Sequence, residues 1–91
     1  MELRAARLVV HDAARALDEG APPQELAGLL PAAKAHAVDA AIRGAERAVK
    51  LLGGMGVTRG GGAEKLLRDA WTGWSCDFTG DVLRLGVAAT L

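Results

Sequence analysis

Apolar residues recur at three- and four-residue steps through most of the chain, and this is the period of an amphipathic α-helix. The first run consists of Leu3, Ala6, Val10, Ala13 and Leu17. It predicts a helix over about residues 2–18. Gly20 suits the end of that helix, and Pro22-Pro23 prevents the helix from continuing.

A second run predicts the longest helix. Pro31 suits the first turn of a helix, where its missing N–H costs nothing. We therefore expect residues 21–30 to be a connector with at most one helical turn, and a helix over about 31–52. Its apolar stripe consists of Val38, Ala41, Ile42, Ala45, Val49 and Leu52. The many small residues allow neighbouring helices to approach closely, and Gly53 suits a left-handed C-cap.

The remainder predicts a loop and two shorter helices. Residues 53–62 are Gly-rich and predict a loop, and a third helix is expected over about 63–71. After a short loop over 72–78, Thr79 is a suitable N-cap for a fourth helix that runs to the C-terminus. The predicted fold is all-α, an antiparallel four-helix bundle without a sheet, in a single domain over residues 1–91.

The composition excludes several classes of function. Lys plus Arg equals Asp plus Glu, 11 each, so the formal charge is zero, and this argues against binding nucleic acid or an acidic membrane. Cys76 is the single cysteine, and His11 and His36 lie on different helices without ligand partners, so we expect neither a disulfide framework nor a metal site. No signal peptide or apolar run of about 18 residues appears, and the expected location is cytoplasmic.

Several segments occur in an order typical of one family. Ala33-Lys34-Ala35 precedes Asp39-Ala40-Ala41; then follow Leu52-Gly53-Gly54-Met55-Gly56 and Arg68-Asp69-Ala70. This order resembles the C-terminal helical domain of the flavin-dependent acyl-CoA dehydrogenases. The resemblance implies an oxidoreductase that uses FAD to dehydrogenate an acyl-CoA or acyl-carrier thioester between its α- and β-carbons.

The resemblance assigns Asp77 the position of the catalytic base, which is Glu in the family and removes the α-proton of the thioester. Aspartate is one methylene shorter, and a misplacement near 1 Å can cost about 100-fold in rate. Phe78 stands where the family has Gly, and its ring could fill space meant for the thioester. The alternative is that Asp77 is a solvated carboxylate beside a helix N-terminus, which favours negative charge.

The resemblance also assigns five positions to the FAD site. In the family, the loop that corresponds to residues 53–62 lines this site, and often it is the site of a neighbouring subunit. The five positions are Lys50, Gly53, Gly54, Thr79 and Asp81. Each has a plainer alternative. The glycines suit a C-cap and turn, Thr79 and Asp81 suit the N-terminus of a helix, and Lys50 could lie along the helix surface.

The three aromatic residues, Trp71, Trp74 and Phe78, cluster around Asp77 in sequence. They suit the wall of an apolar pocket, packing under a loop, or a surface that another domain covers.

The chain is too short to include the other dehydrogenase domains, which the resemblance implies supply much of the pocket. We therefore expect a fragment or split subunit that is inactive alone and contributes the base loop and part of a shared FAD site. Its partner is a second copy or a chain with the remaining domains. The alternative is a non-catalytic helical module for dimerisation or interaction, derived from the same family.

Overall fold

The computed structural model describes residues 1–76 and 78–91. These residues form α1 (Glu2–Asp18), α2 (Pro23–Leu52), α3 (Ala63–Ser75) and α4 (Gly80–Ala88), with 3-10 turns at Gly53–Val57 and Arg59–Gly61. No strand occurs in the described ranges. The predicted all-α class is confirmed.

The centre of the fold is α2, whose 30 residues make a helix about 45 Å long. Helix α1 folds back against it. Near the start of α1, the carboxylate of Glu2 accepts hydrogen bonds from Arg43 and, at 3.4 Å, from Arg47. The hydrogen bond from Arg43 is the main reason that the pKa of Glu2 lies below its ordinary value.

Helices α3 and α4 both run antiparallel to α2 and follow one another along it. Leu66 and Ala70 of α3 face the C-terminal half of α2, and Gly73 lies beside Val38. Helix α4 continues along the N-terminal half, where Thr90 lies beside Gly28. The four helices therefore form three columns, and the molecule measures 48 × 23 × 17 Å.

Small side chains dominate the core. Its buried apolar residues are Ala6, Ala13, Ala16, Ala33, Ala35, Ala40, Ile42, Ala45, Ala63 and Leu83. Because alanines let helix axes approach closely, the columns pack without large interior side chains. Most of the leucines remain at least partly exposed.

The structure corrects the predicted start of the long helix. Helix α2 begins at Pro23, so the expected connector over 21–30 is mostly helical and Pro31 lies inside the helix. A proline does occupy the first turn of α2, as the preference for that position predicts, but it is Pro23 and not Pro31. Leu26, Leu29 and Ala33 continue the apolar spacing across Pro31 and are buried or half-buried, which outweighs the proline's preference for a helix end.

Smaller differences concern the other boundaries. Helix α3 extends to Ser75, so part of the expected loop over 72–78 is helical, and α4 ends at Ala88, short of the C-terminus. The expected Gly-rich loop contains the two 3-10 turns. Gly53 has the positive φ predicted for it, but its ψ of −132° is not that of the left-handed helical conformation.

Candidate functional site

The junction between α3 and α4 contains the segment that the sequence predicts to be functional. The Cys76 amide closes α3 by donating to the Thr72 carbonyl at 2.9 Å. Helix α4 begins after Thr79, whose Oγ1 accepts from the Val82 amide at 3.4 Å. The predicted N-cap is therefore confirmed. Asp77, the predicted base, lies outside the described residues.

Lys34 of α2 connects this junction to the centre of the fold. Its ammonium donates to the backbone carbonyl of Cys76 and, at 3.3 Å, to that of Phe78. The residues on either side of position 77 are therefore both bound to one side chain. Lys34 lies between the buried Ala33 and Ala35, so its backbone belongs to a packed part of α2.

A second contact is packed under the junction. The indole of Trp74 lies so close to Gly80 that a Cβ there would be 2.7 Å from its Nε1. Gly80 is buried, and a methyl group in its place would collide with the ring. The crevice between α2, α3 and α4 is closely packed and is lined by Lys34, Ala35, Val38, Gly73, Trp74, Gly80 and Leu83.

An ion pair ties α4 to α2 in the same region. The guanidinium of Arg84 donates to the carboxylate of Asp39, five residues beyond Lys34 on α2. Together, the Lys34 contacts, the Trp74 contact and this ion pair fix both ends of the junction against α2.

The aromatic residues near position 77 differ in their surroundings. Trp71 and Trp74 meet edge to face, with ring centroids 5.9 Å apart. Trp74 is half-buried under the junction, whereas Trp71 is exposed and Phe78 is 60% exposed. One of the three thus packs under the loop, and the other two present apolar surface beside it.

The Arg68-Asp69-Ala70 segment lies on α3, and its charged side chains pair within the helix. Arg68 donates to Glu64 at 2.8 Å, and Lys65 donates to Asp69 at 2.7 Å. Such exposed pairs contribute little to stability.

The second group of predicted site residues surrounds the end of α2. Lys50 is exposed in the last turn, and Gly53 and Gly54 are exposed with no heavy atom within 4 Å of where a side chain would begin. A dinucleotide could approach this open backbone closely. The residues therefore leave room for a ligand on one side, but they do not enclose one.

Other glycines of the segment are structural. A Cβ at Gly56 would lie 2.2 Å from the carbonyl oxygen of Val49, and one at Gly61 would lie 2.3 Å from that of Met55. At these two positions only glycine fits, because the backbone itself blocks a side chain.

The two groups of predicted site residues do not meet within the described chain. Lys34 marks the junction that includes Thr79 and Asp81, and Lys50 marks the Gly-rich segment. These two lysines are 16 residues apart on α2, which corresponds to about 24 Å along the helix. Asp81 is exposed in the first turn of α4, where its charge also complements the helix dipole.

Two further findings concern the described residues as a set. They contain no cluster of three or more His, Cys, Asp or Glu side chains that could hold a metal ion. None of their helices combines the length and apolarity that a membrane-spanning helix needs.

Comparison with known families agrees with the order of the segments. The model of the family described as acyl-CoA dehydrogenase, C-terminal domain, matches residues 1–91. The chain belongs to this family. No curated protein and no solved structure matched the chain in the corresponding searches.

Within this acyl-CoA dehydrogenase domain, sequence reasoning missed the role of Lys34 at the junction. In the sequence, Lys34 is distinguished only as part of the Ala33-Lys34-Ala35 segment. One signal could have drawn attention to it, because a cation between two core alanines must reach a polar partner. Its partners are carbonyls more than 40 residues away, and no sequence pattern identifies those.

Proposed function

We propose that this domain supplies the base loop and one face of the FAD site to an acyl-CoA dehydrogenase, and that Asp77 is the base. The proposal is carried by the position of the α3–α4 junction. It follows Arg68-Asp69-Ala70 in a chain that the family model matches over residues 1–91. The family's base follows that motif at the same interval.

The reaction requires two C–H bonds of an acyl thioester to break. Asp77 takes the α-proton, and the electron pair of that bond forms the new double bond as a hydride leaves the β-carbon. FAD, when bound, accepts the hydride. The described residues act by holding the base loop, with Trp74 packed under it and the Thr79 side chain capping the helix that follows.

The FAD part of the proposal uses residues of both groups. Lys50, Gly53 and Gly54 would contact the cofactor from the end of α2, and Thr79 and Asp81 from the start of α4. The junction is bound by Lys34, which lies about 24 Å along α2 from Lys50, and this separation supports an arrangement in which the Gly-rich segment contacts the FAD of another subunit. We expect the chain alone not to retain FAD, since a dinucleotide needs more enclosing surface.

The test is a complex of this chain with a chain that supplies the remaining dehydrogenase domains. Asp77→Asn should lower its turnover with an acyl-CoA by about 100-fold or more, because an amide cannot take a proton. The matched control is Asp18→Asn, which removes an exposed carboxylate at the end of α1. Flavin absorbance of each complex shows whether the cofactor is retained.

A second pair of variants tests the departures from the family. Asp77→Glu combined with Phe78→Gly should raise turnover, since it restores both reach and room. The two changes should be non-additive because the residues are adjacent. If Asp77→Asn turns over as fast as the control with equal flavin content, Asp77 is not the base.

The alternative function is that of a non-catalytic interaction module. The exposed apolar side chains of Trp71 and Phe78 beside the junction favour it, because such a surface suits a protein partner. A complex that forms but remains inactive with Asp77→Glu/Phe78→Gly would support this alternative.

A further inference from the structure

Lys34 has no role in the proposed reaction, yet it makes the contact that joins α2 to the base loop. We propose that Lys34 is a positioning residue that holds the backbone on both sides of the proposed base, Asp77. This inference rests on the proposed function, because it assumes that the α3–α4 junction carries the base.

The argument begins with where Lys34 stands. It lies on the central helix between Ala33 and Ala35, whose side chains are 5% and 7% exposed. Neighbouring alanines in the core hold this part of α2 in place. The side chain of Lys34 therefore extends toward the junction from a packed part of the α2 backbone.

The second step concerns what it binds. The ammonium donates to the carbonyl oxygens of Cys76 and Phe78, the residues immediately before and after position 77. An ammonium has three donors and can hold both carbonyls at once. Hydrogen bonds from a charged donor are roughly twice as strong as those between neutral groups. One side chain thus fixes the backbone on both sides of the proposed base.

The third step separates this contact from an ordinary helix cap. A cation at the end of α3 would also favour the helix dipole, and the last carbonyls of a helix often bind lysine. The Phe78 carbonyl, however, lies beyond the end of α3, which stops at Ser75. Binding of this carbonyl shapes the loop and contributes nothing to capping α3.

The first measurement concerns the contact itself and needs no activity. In the whole chain, carbonyl ¹³C chemical shifts of Cys76 and Phe78 should change in Lys34→Met and return toward the original values in Lys34→Arg. Lys65→Met removes an exposed lysine of α3 and is the matched control. Unchanged shifts at both carbonyls in Lys34→Met would overturn the proposal, whatever the fate of the proposed function.

The second measurement concerns position 77 in the reconstituted complex. Lys34→Met should lower kcat by about 10- to 100-fold with little change in KM, as expected for a displaced base. Lys34→Arg should recover much of that loss. Rates are compared well below the melting temperature of each variant, so that a general loss of stability does not enter.

A double-mutant cycle gives the decisive result. In the Asp77→Asn background, Lys34→Met should have no further effect on kcat, because there is no base left to position. An equal loss in both backgrounds would overturn the positioning role and leave Lys34 a purely structural contact. If Asp77→Asn alone has no effect, the proposed function fails, and the carbonyl shifts still report whether Lys34 holds the loop.

Discussion

At the scale of single residues, neighbouring glycines of one segment have different physical roles. Gly54 has open space where a side chain would begin, whereas the α-carbon of Gly56 lies against the backbone of Val49. Glycine at position 56 is therefore required by a close approach of two backbone segments, and glycine at position 54 is compatible with a surface that something else contacts.

Gly56→Ala should destabilise the domain by about 1–3 kcal/mol, the usual cost of forcing a methyl group into a packed site. For a domain of this size the melting temperature falls by about 4–8 °C for each kcal/mol. Thermal unfolding followed by circular dichroism measures the shift. The matched control, Gly54→Ala, should change it little.

If Gly56→Ala melts with the control, the 3-10 turn over Gly53–Val57 can move away from α2 at no cost. The turn would then be a loosely attached loop, and the close approach to Val49 would not be what requires glycine at position 56.

At the scale of elements, the internal proline of α2 is the clearest local conflict. Pro31 cannot donate a hydrogen bond to the carbonyl four residues earlier, and its ring crowds that carbonyl. The helix continues through it because apolar residues on both sides pack against the other columns. The element is thus held by tertiary packing against the preference of one of its residues.

Pro31→Ala should stabilise the domain by restoring the hydrogen bond and removing the ring clash. The gain is limited to at most about 3 kcal/mol by helix propensity, less about 0.4–1 kcal/mol because proline also restricts the unfolded chain. Urea unfolding measures it. Pro23→Ala is the control, since Pro23 starts α2, where proline costs little. Equal effects of the two substitutions would contradict the packing argument.

The same proline explains which elements the sequence could predict. The bounds of α1 and the Thr79 cap were predicted correctly, because each depends on local spacing and a side chain's own preference. The start of α2 was not, because packing against distant helices overrides the local signal at Pro31. The end of α3 was missed for a related reason: Trp74 extends the helix by packing on Gly80, which follows it by six residues.

The candidate site was predictable only in part. Family resemblance named Asp77 and the FAD positions, and the local geometry of Thr79 agrees with its predicted capping role. The link from Lys34 to the carbonyls of Cys76 and Phe78 was out of reach, because backbone carbonyls have no sequence signature. The packed glycines at 56 and 61 were equally indistinguishable from the open ones, since only the fold determines which backbone segments approach each other.

At the scale of the whole molecule, the chain exposes more surface to solvent than a compact monomer of the same mass. Its accessible surface is 6279 Å², whereas a compact monomer of its mass exposes about 5,000 Å². Its radius of gyration is 15.3 Å, against about 12 Å for a compact chain of this length. The excess is accompanied by exposed apolar side chains, among them Leu3 and Leu66.

These two leucines border one apolar groove, in which small residues of α2 form the floor: Ala41, Gly44, Ala45 and Ala48. Association that places apolar side chains of another surface in this groove is favourable by about 25 cal/mol for each Å² of apolar surface removed from water. We therefore expect the isolated chain to self-associate.

Sedimentation velocity between about 1 and 100 μM should show an average mass that rises with concentration, because the apolar surface is covered only in the associated form. Leu66→Gln should weaken this association, since it places an amide at the rim of the groove, while Lys65→Gln on the exposed side of the same helix should not. The thermal midpoint of the original chain should rise with concentration, and that of Leu66→Gln should rise less.

A monomer at every concentration with a high, concentration-independent midpoint would mean that the alanine core alone supports the fold. The exposed leucines would then be ordinary surface residues, and the argument for a partner surface at this groove would fail.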